Sequence, residues 1–299
     1  MNIIKKKDLQ KIKRLENGNG PHFIVYEGLW CGATVAIKVC RMHALANHLV
    51  SDLDSYRNTS HPNLRTYYGA CLEPGKFSMI FELMPFSLFE FYGMYTLSIK
   101  NVYNFANAIA TGLCYLHSMD INHGHLKSNN IFLTGNLDIK ITDFGLHRIR
   151  LETEQFAITA DTQVNWGAPE TFKSNYPKTK DKKADIYSYG VILWEMSARK
   201  IPYSNEPWQN VLNLIAAGTT EKIDDEWPSS FKTLLLACWA FDPTSRPTIE
   251  AILDLLKTKD FDLENARKEP VVHYNGIASH IAHNEKSKEL NQTAGLQNS

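Results

Sequence analysis

Lys140-Ile141-Thr142-Asp143-Phe144-Gly145, with His123-Gly124-His125-Leu126-Lys127-Ser128-Asn129-Asn130 upstream, carries the reading of this chain. Lys140 to Thr142 reads as a strand end, and Asp143 follows it. Asp143 lies 143 − 130 = 13 residues after Asn130. A carboxylate and an amide carbonyl are hard oxygen donors of the kind that hold magnesium on a nucleotide.

Working outward, Ala168-Pro169-Glu170, Asp185-Ile186-Tyr187-Ser188-Tyr189-Gly190, Cys238-Trp239 and Arg246-Pro247 follow in order. Upstream, Val35-Ala36-Ile37-Lys38 places a lysine at the end of an expected strand. Before it runs Gly18-Asn19-Gly20-Pro21-His22-Phe23-Ile24-Val25, whose glycines would let backbone N–H groups approach a phosphate. By itself that segment reads nearly as well as a Gly-Asn turn between strands, and Lys38 alone as a solvated strand end.

The apolar periodicity divides the chain. Phe23 to Tyr26, Ala33 to Val39 and Phe77 to Phe81 are strand candidates rich in β-branched and aromatic residues. Met42, Leu45, Ala46, Leu49, Val50, Leu53 and Tyr56 recur at helical spacing. After Pro85 helical stripes dominate: Val102 to Leu116, Phe231 to Trp239 and Ile249 to Leu256. Ile186 to Met196 is apolar almost all round, as a buried helix should be. A small strand-rich half before a larger helical half predicts two lobes with a cleft between them. Past Lys257 the periodicity fades, and a polar tail over 259–299 is expected to be disordered beyond about residue 270.

Composition sets the outer bounds. The 299 residues have zero formal net charge and are 43% hydrophobic, enough to bury a large core but without the basic surface that nucleic-acid binding requires. No apolar run approaches the ~20 residues of a membrane helix, and no signal peptide or myristoylation motif is evident. The five cysteines form no C-x-x-C pair, which argues for a reducing, cytoplasmic setting.

The ordered set V-A-I-K, catalytic loop, D-F-G, A-P-E, D-x-Y-S-x-G, C-W and R-P resembles the protein kinase family over about residues 8–258. Val25-Tyr26-Glu27-Gly28-Leu29-Trp30-Cys31-Gly32 and His61-Pro62-Asn63 resemble its tyrosine-kinase-like branch, which includes Raf-like and mixed-lineage kinases. The resemblance implies an α+β, two-lobed kinase fold, with an N-lobe at about 8–83 and a C-lobe at about 84–258. It implies ATP and magnesium as cofactors. Gly18, Gly20, Val25, Ala36, Lys38, Phe81, Glu82, Met84, Asn130 and Asp143 would bind nucleotide. Within that set Lys38 would hold the α/β-phosphates and Asn130 and Asp143 the metal. Phe81 would be the gatekeeper, and Glu82 and Met84 would offer hinge backbone to the base. Asp185 would brace the catalytic loop, and Glu170 and Arg246 would form a structural ion pair.

The chain departs from that pattern in its catalytic loop. An active kinase reads H-R-D-L-K-x-x-N; here the proton-accepting Asp is His125 and the Arg that pairs with a phosphorylated activation loop is Gly124, while Lys127 is kept. This form resembles the kinase-homology domains of receptor guanylyl cyclases and plant receptor pseudokinases. A neutral imidazole is a competent base, and Lys127 beside it would tend to keep it neutral. It brings no fixed negative charge to orient a hydroxyl, however, and losing a positioned base costs ~10²–10⁴-fold. Counting back from His61, the helix acid that should pair with Lys38 falls on Asp52, one methylene shorter than the usual Glu. The third phosphate-loop glycine falls on Phe23.

Two functions follow from the resemblance. One is a pseudokinase, a nucleotide-binding regulator or scaffold that acts on another signalling protein, with no nucleic acid or membrane span involved. The other is a serine/threonine kinase with an unconventional base, since Lys127 favours that class over tyrosine kinases. A piece of a guanylyl cyclase receptor is disfavoured, because neither a cyclase-like domain nor a span occurs in the chain. Thr153, Thr159 and Thr162 are expected to be ordinary polar loop residues, and His123 a packing residue rather than a metal ligand.

Overall fold

The computed structural model describes residues 2–15, 23–40, 53, 56–73, 76–95, 97–145, 164–173 and 182–258. The helix expected over residues 42–56, apart from Leu53 and Tyr56, lies outside them, as do the polar tail and Thr153, Thr159 and Thr162.

The N-terminal half is one antiparallel sheet. It holds β1 (Leu9–Arg14), β2 (Phe23–Trp30), β3 (Ala33–Cys40), β4 (Tyr67–Glu73) and β5 (Lys76–Glu82), in the order β1-β2-β3-β5-β4. Two of these, β1 and β4, were not singled out by the sequence. In β1, Gln10 to Arg14 are all exposed, so no apolar alternation marks it. The β2–β3 connection turns at Cys31 (φ 50°) and Gly32 (φ 82°), and the left-handed geometry explains the glycine. Strand β3 runs two residues past Lys38. Its register sets Lys38 opposite Val25 on one side and Met79 on the other, in the middle of the sheet.

The C-terminal half is helical. It comprises β6 (Phe86–Ser87), α1 (Leu88–Met94), α2 (Ile99–Ser118), β7 (Ile131–Leu133), β8 (Ile139–Ile141), α3 (Lys182–Ala198), α4 (Trp208–Ala216), α5 (Ser229–Cys238) and α6 (Ile249–Leu256). Ser87 and Ser98 each close a reciprocal capping box, with Glu90 and Asn101, which fixes where α1 and α2 begin. Residues 185–196 of α3 are all buried, as a helix apolar on every face requires. The two halves make the two-lobed α+β arrangement anticipated from the motifs. Glu170 and Arg246 meet in a bidentate pair at 2.5 and 2.8 Å, with Arg246 over the Tyr187 ring. Further guanidinium bonds reach the carbonyls of Lys183 and Ala240, so this buried cation is well satisfied.

Candidate nucleotide and catalytic site

The segment 63–66 stitches the lobes together. Ile141 N–H donates to Asn63 O and Arg65 N–H to Ile141 O, while Glu82 N–H donates to Thr66 O. These bonds bring three stretches distant in sequence to the back of one cleft: the strand before Asp143, the end of β5 and the residues after His61.

Asp143 sits two residues past β8 in a left-handed conformation (φ 65°), strained for a non-glycine residue but among the more tolerant types. Its Oδ2 accepts from Lys38 Nζ at 2.5 Å. The Lys38 side chain is 8% exposed, and the ring of Phe23 lies 4.6 Å from Nζ. An aromatic thus lies over the lysine that the family resemblance would assign to phosphates. Asp52, the partner read from the sequence, lies outside the described residues, as do Gly18 and Gly20. Phe144 is fully buried and stacks on Tyr56 at 4.4 Å between centroids; Tyr56 meets Phe81 edge-on at 5.4 Å. Phe81, Tyr56, Tyr67 and Phe144 therefore form one aromatic wall behind the cleft.

The catalytic loop is held from below. Buried Asp185 accepts from His123 N–H at 2.7 Å and Gly124 N–H at 2.8 Å, and lies 2.9 Å from His117 Nε2. Burial would raise its pKa, but the hydrogen bond and charge of His117, aided by His123 and Gly124, outweigh that and leave it below the ordinary carboxylate value. Asn130 donates from Nδ2 to His125 O at 2.8 Å, and His125 N–H donates to His123 Nδ1 at 3.2 Å. Gly124 has φ 66° and is exposed. The loop keeps a tied-down shape while its central carboxylate and arginine are gone. Among the described residues no group of three or more His, Cys, Asp or Glu is placed to hold a metal.

Two features were not read from the sequence. Arg65 turns inward: Nε donates to Glu82 O at 2.8 Å, and the guanidinium carbon lies 4.8 Å from the Phe132 ring centroid and 5.4 Å from that of Phe81. Desolvation pulls its pKa down to about 10 despite the nearby Asp143 carboxylate. In sequence it is one charged residue in Leu64-Arg65-Thr66-Tyr67, which looks like a solvated strand start. The second is Glu195, fully buried in α3, which accepts from Ser128 Oγ, Trp166 Nε1 and Tyr92 Oη. Burial raises its pKa to about 7. An acid inside an otherwise apolar helix was the available signal.

With this geometry in place, the family comparison decides the lineage. The family model for protein tyrosine and serine/threonine kinases matches residues 10–256. The chain belongs to the protein kinase family. A probable serine/threonine-protein kinase of Dictyostelium discoideum is 31% identical over 80% of the chain. The Arabidopsis thaliana serine/threonine-protein kinase STY46 is 30% identical over 82%, and the Arabidopsis serine/threonine/tyrosine-protein kinase HT1 is 28% identical over 81%. The aligned region makes up 27%, 44% and 64% of these three relatives, so the kinase domain described here spans only part of their length. No helix among the described residues is long and apolar enough to cross a membrane.

Proposed function

We propose that this kinase domain is a pseudokinase: a nucleotide-binding regulator or scaffold that acts through another protein and transfers phosphate at or near background rate. The observation that carries this reading is His125. The loop around it is anchored through Asp185 and Asn130, so a carboxylate at this position would be well placed, and the chain supplies an imidazole instead. Phosphoryl transfer depends chiefly on positioning and electrostatics, and the fixed negative charge that orients a hydroxyl is what has gone.

Nucleotide binding is part of the proposal. Asp143 contributes carboxylate oxygens, and Asn130, anchored through its Nδ2, has its carbonyl oxygen left as a donor. Two hard oxygens fit magnesium bridging a nucleotide's phosphates, where the ion would neutralise phosphate charge. Lys38 would exchange its bond to Asp143 for phosphate oxygens, and Phe23 would have to yield the space over Nζ. Val25 on β2 stands opposite Lys38, and Ala36 lies two places before that lysine on the same face of β3; both are buried.

The second reading, an active serine/threonine kinase with His125 as base, is favoured by the retained Lys38, Asn130 and Asp143 and by the kinase names of the relatives. Incubating the purified chain with labelled nucleotide, magnesium and generic protein acceptors separates the two. Background incorporation, equal to that of Asp143→Ala, is expected. Robust incorporation abolished by Asp143→Ala would establish the active kinase.

A further inference from the structure

We propose that Arg65 makes the base subsite select a 6-oxopurine, guanine or hypoxanthine, over adenine. This rests on the nucleotide-binding reading above and specifies its ligand.

The argument starts at the hinge. Glu82 ends β5; the resemblance to kinases makes it hinge backbone offered to the base, and the acceptor that backbone has for a base N–H is its carbonyl. That carbonyl already accepts from Arg65 Nε at 2.8 Å. The bond is built into the fold, because the Arg65 main chain is pinned on its other side by the bond to Ile141 O at 2.9 Å. An adenine entering here would bring an N–H donor against a guanidinium that offers only donors. The mismatch leaves polar hydrogens facing each other in a desolvated place, which is costly.

The same guanidinium is half-buried and uses only part of its donor capacity on protein acceptors. It lies against the rings of Phe81 and Phe132, and desolvation has lowered its pKa. Its one side-chain hydrogen bond among the described residues is that to Glu82 O, made by Nε. Nη1 and Nη2 remain as donors. Phe132 begins two residues after Asn130 and supplies a flat apolar surface under the guanidinium, so a purine sharing that surface would meet Arg65 edge to edge. A 6-oxopurine presents the acceptor pair O6 and N7 on one edge, and arginine reads that pair bidentately. Adenine presents a donor at position 6 beside N7 and can offer one acceptor at most. A good bidentate contact discriminates by roughly 10- to 100-fold in Kd.

The test uses the purified full chain in calorimetric titrations with the magnesium complexes of GTP, ITP, ATP and 2-aminopurine riboside triphosphate. GTP and ITP, which share O6 and N7, are expected to bind about 10- to 100-fold more tightly than ATP and the 2-aminopurine nucleotide, which lack O6. Arg65→Val should erase or invert that ratio, and Arg65→Lys, which keeps the charge but not the fork, should reduce it. The wild-type ratio and Arg65→Lys decide the matter if Arg65→Val fails to fold. Wild-type affinity for ATP equal to or above that for GTP overturns the selection and leaves nucleotide binding intact. GTP binding without ITP binding places recognition at the 2-amino group and overturns it as well. Binding that appears only in Arg65→Val makes Arg65 a plug rather than a reader. No binding by any variant removes both this inference and the nucleotide-binding reading.

Discussion

Lys38 Nζ and Asp143 Oδ2, 105 residues apart in sequence, lie 2.5 Å from one another across the cleft. The cation proposed to hold phosphate and the anion proposed to hold metal thus pair with each other in this chain. A magnesium nucleotide must replace that bond with two others, Lys38 to phosphate and Asp143 to metal.

That exchange predicts weak, lysine-dependent binding. A nucleotide at 100 times its Kd should stabilise the wild-type fold by about 2.7 kcal/mol. Lys38→Met should lose most of this shift in a thermal melt. An undiminished shift in Lys38→Met would place the nucleotide somewhere other than this cleft.

Restoring the catalytic loop should restore some transfer. His125→Asp returns the missing carboxylate to a loop already anchored by Asp185, and Gly124→Arg returns the arginine. At φ 66° a non-glycine residue costs about 1–2 kcal/mol, so the double variant should melt earlier than His125→Asp alone. Labelled-phosphate assays should show activity rising by up to ~10²–10⁴-fold from background. Asp52→Glu should add to it by holding Lys38 away from Asp143. A triple variant that binds nucleotide yet stays at background would mean that the lesion extends beyond the lost base.

Glu195 should give stability a pH dependence of unusual sign. Its native pKa of about 7 lies above the unfolded value of 4.5, so between these pH values the native state holds more protons than the unfolded one. Stability therefore falls as pH rises through this window, at up to about 1.4 kcal/mol per unit from this group. Below pH 4.5 its contribution is complete. Denaturant titrations of wild type and Glu195→Gln should diverge as pH rises towards 7, with the glutamine variant gaining. Parallel profiles would show that Glu195 stays charged or that its environment relaxes.

Breaking the Glu170–Arg246 pair should be costly and catalytically neutral. Glu170→Ala leaves a fully buried guanidinium without its carboxylate, worth roughly 3–5 kcal/mol of stability. Urea unfolding should show this loss, while nucleotide affinity of the folded fraction stays as in wild type. A change in affinity would mean that the pair also positions the cleft.

Much of this was legible from residue order and type. The D-F-G and H-G-H-L-K-S-N-N stretches carry their own chemistry, and the apolar runs fix the buried helix α3 and strands β2, β3 and β5. Asn130 and Asp143 could be nominated without coordinates as oxygen donors by type and spacing, and Lys38 only through the family resemblance. The Glu170–Arg246 pair was also legible, through the family resemblance. What sequence could not give is where long polar side chains end. Arg65 could have pointed to solvent; it turns inward because Asn63–Thr66 is clamped between β8 and β5, which puts the Glu82 carbonyl, 17 residues on, within reach. Phe23 covers Lys38 because the β2–β3 register sets Phe23 opposite Cys40, two places from the lysine on the same sheet face. Periodicity tells which face of an element is apolar. Only packing between elements distant in sequence decides which polar group meets which, and that decision places a cation at the hinge and an acid inside the core.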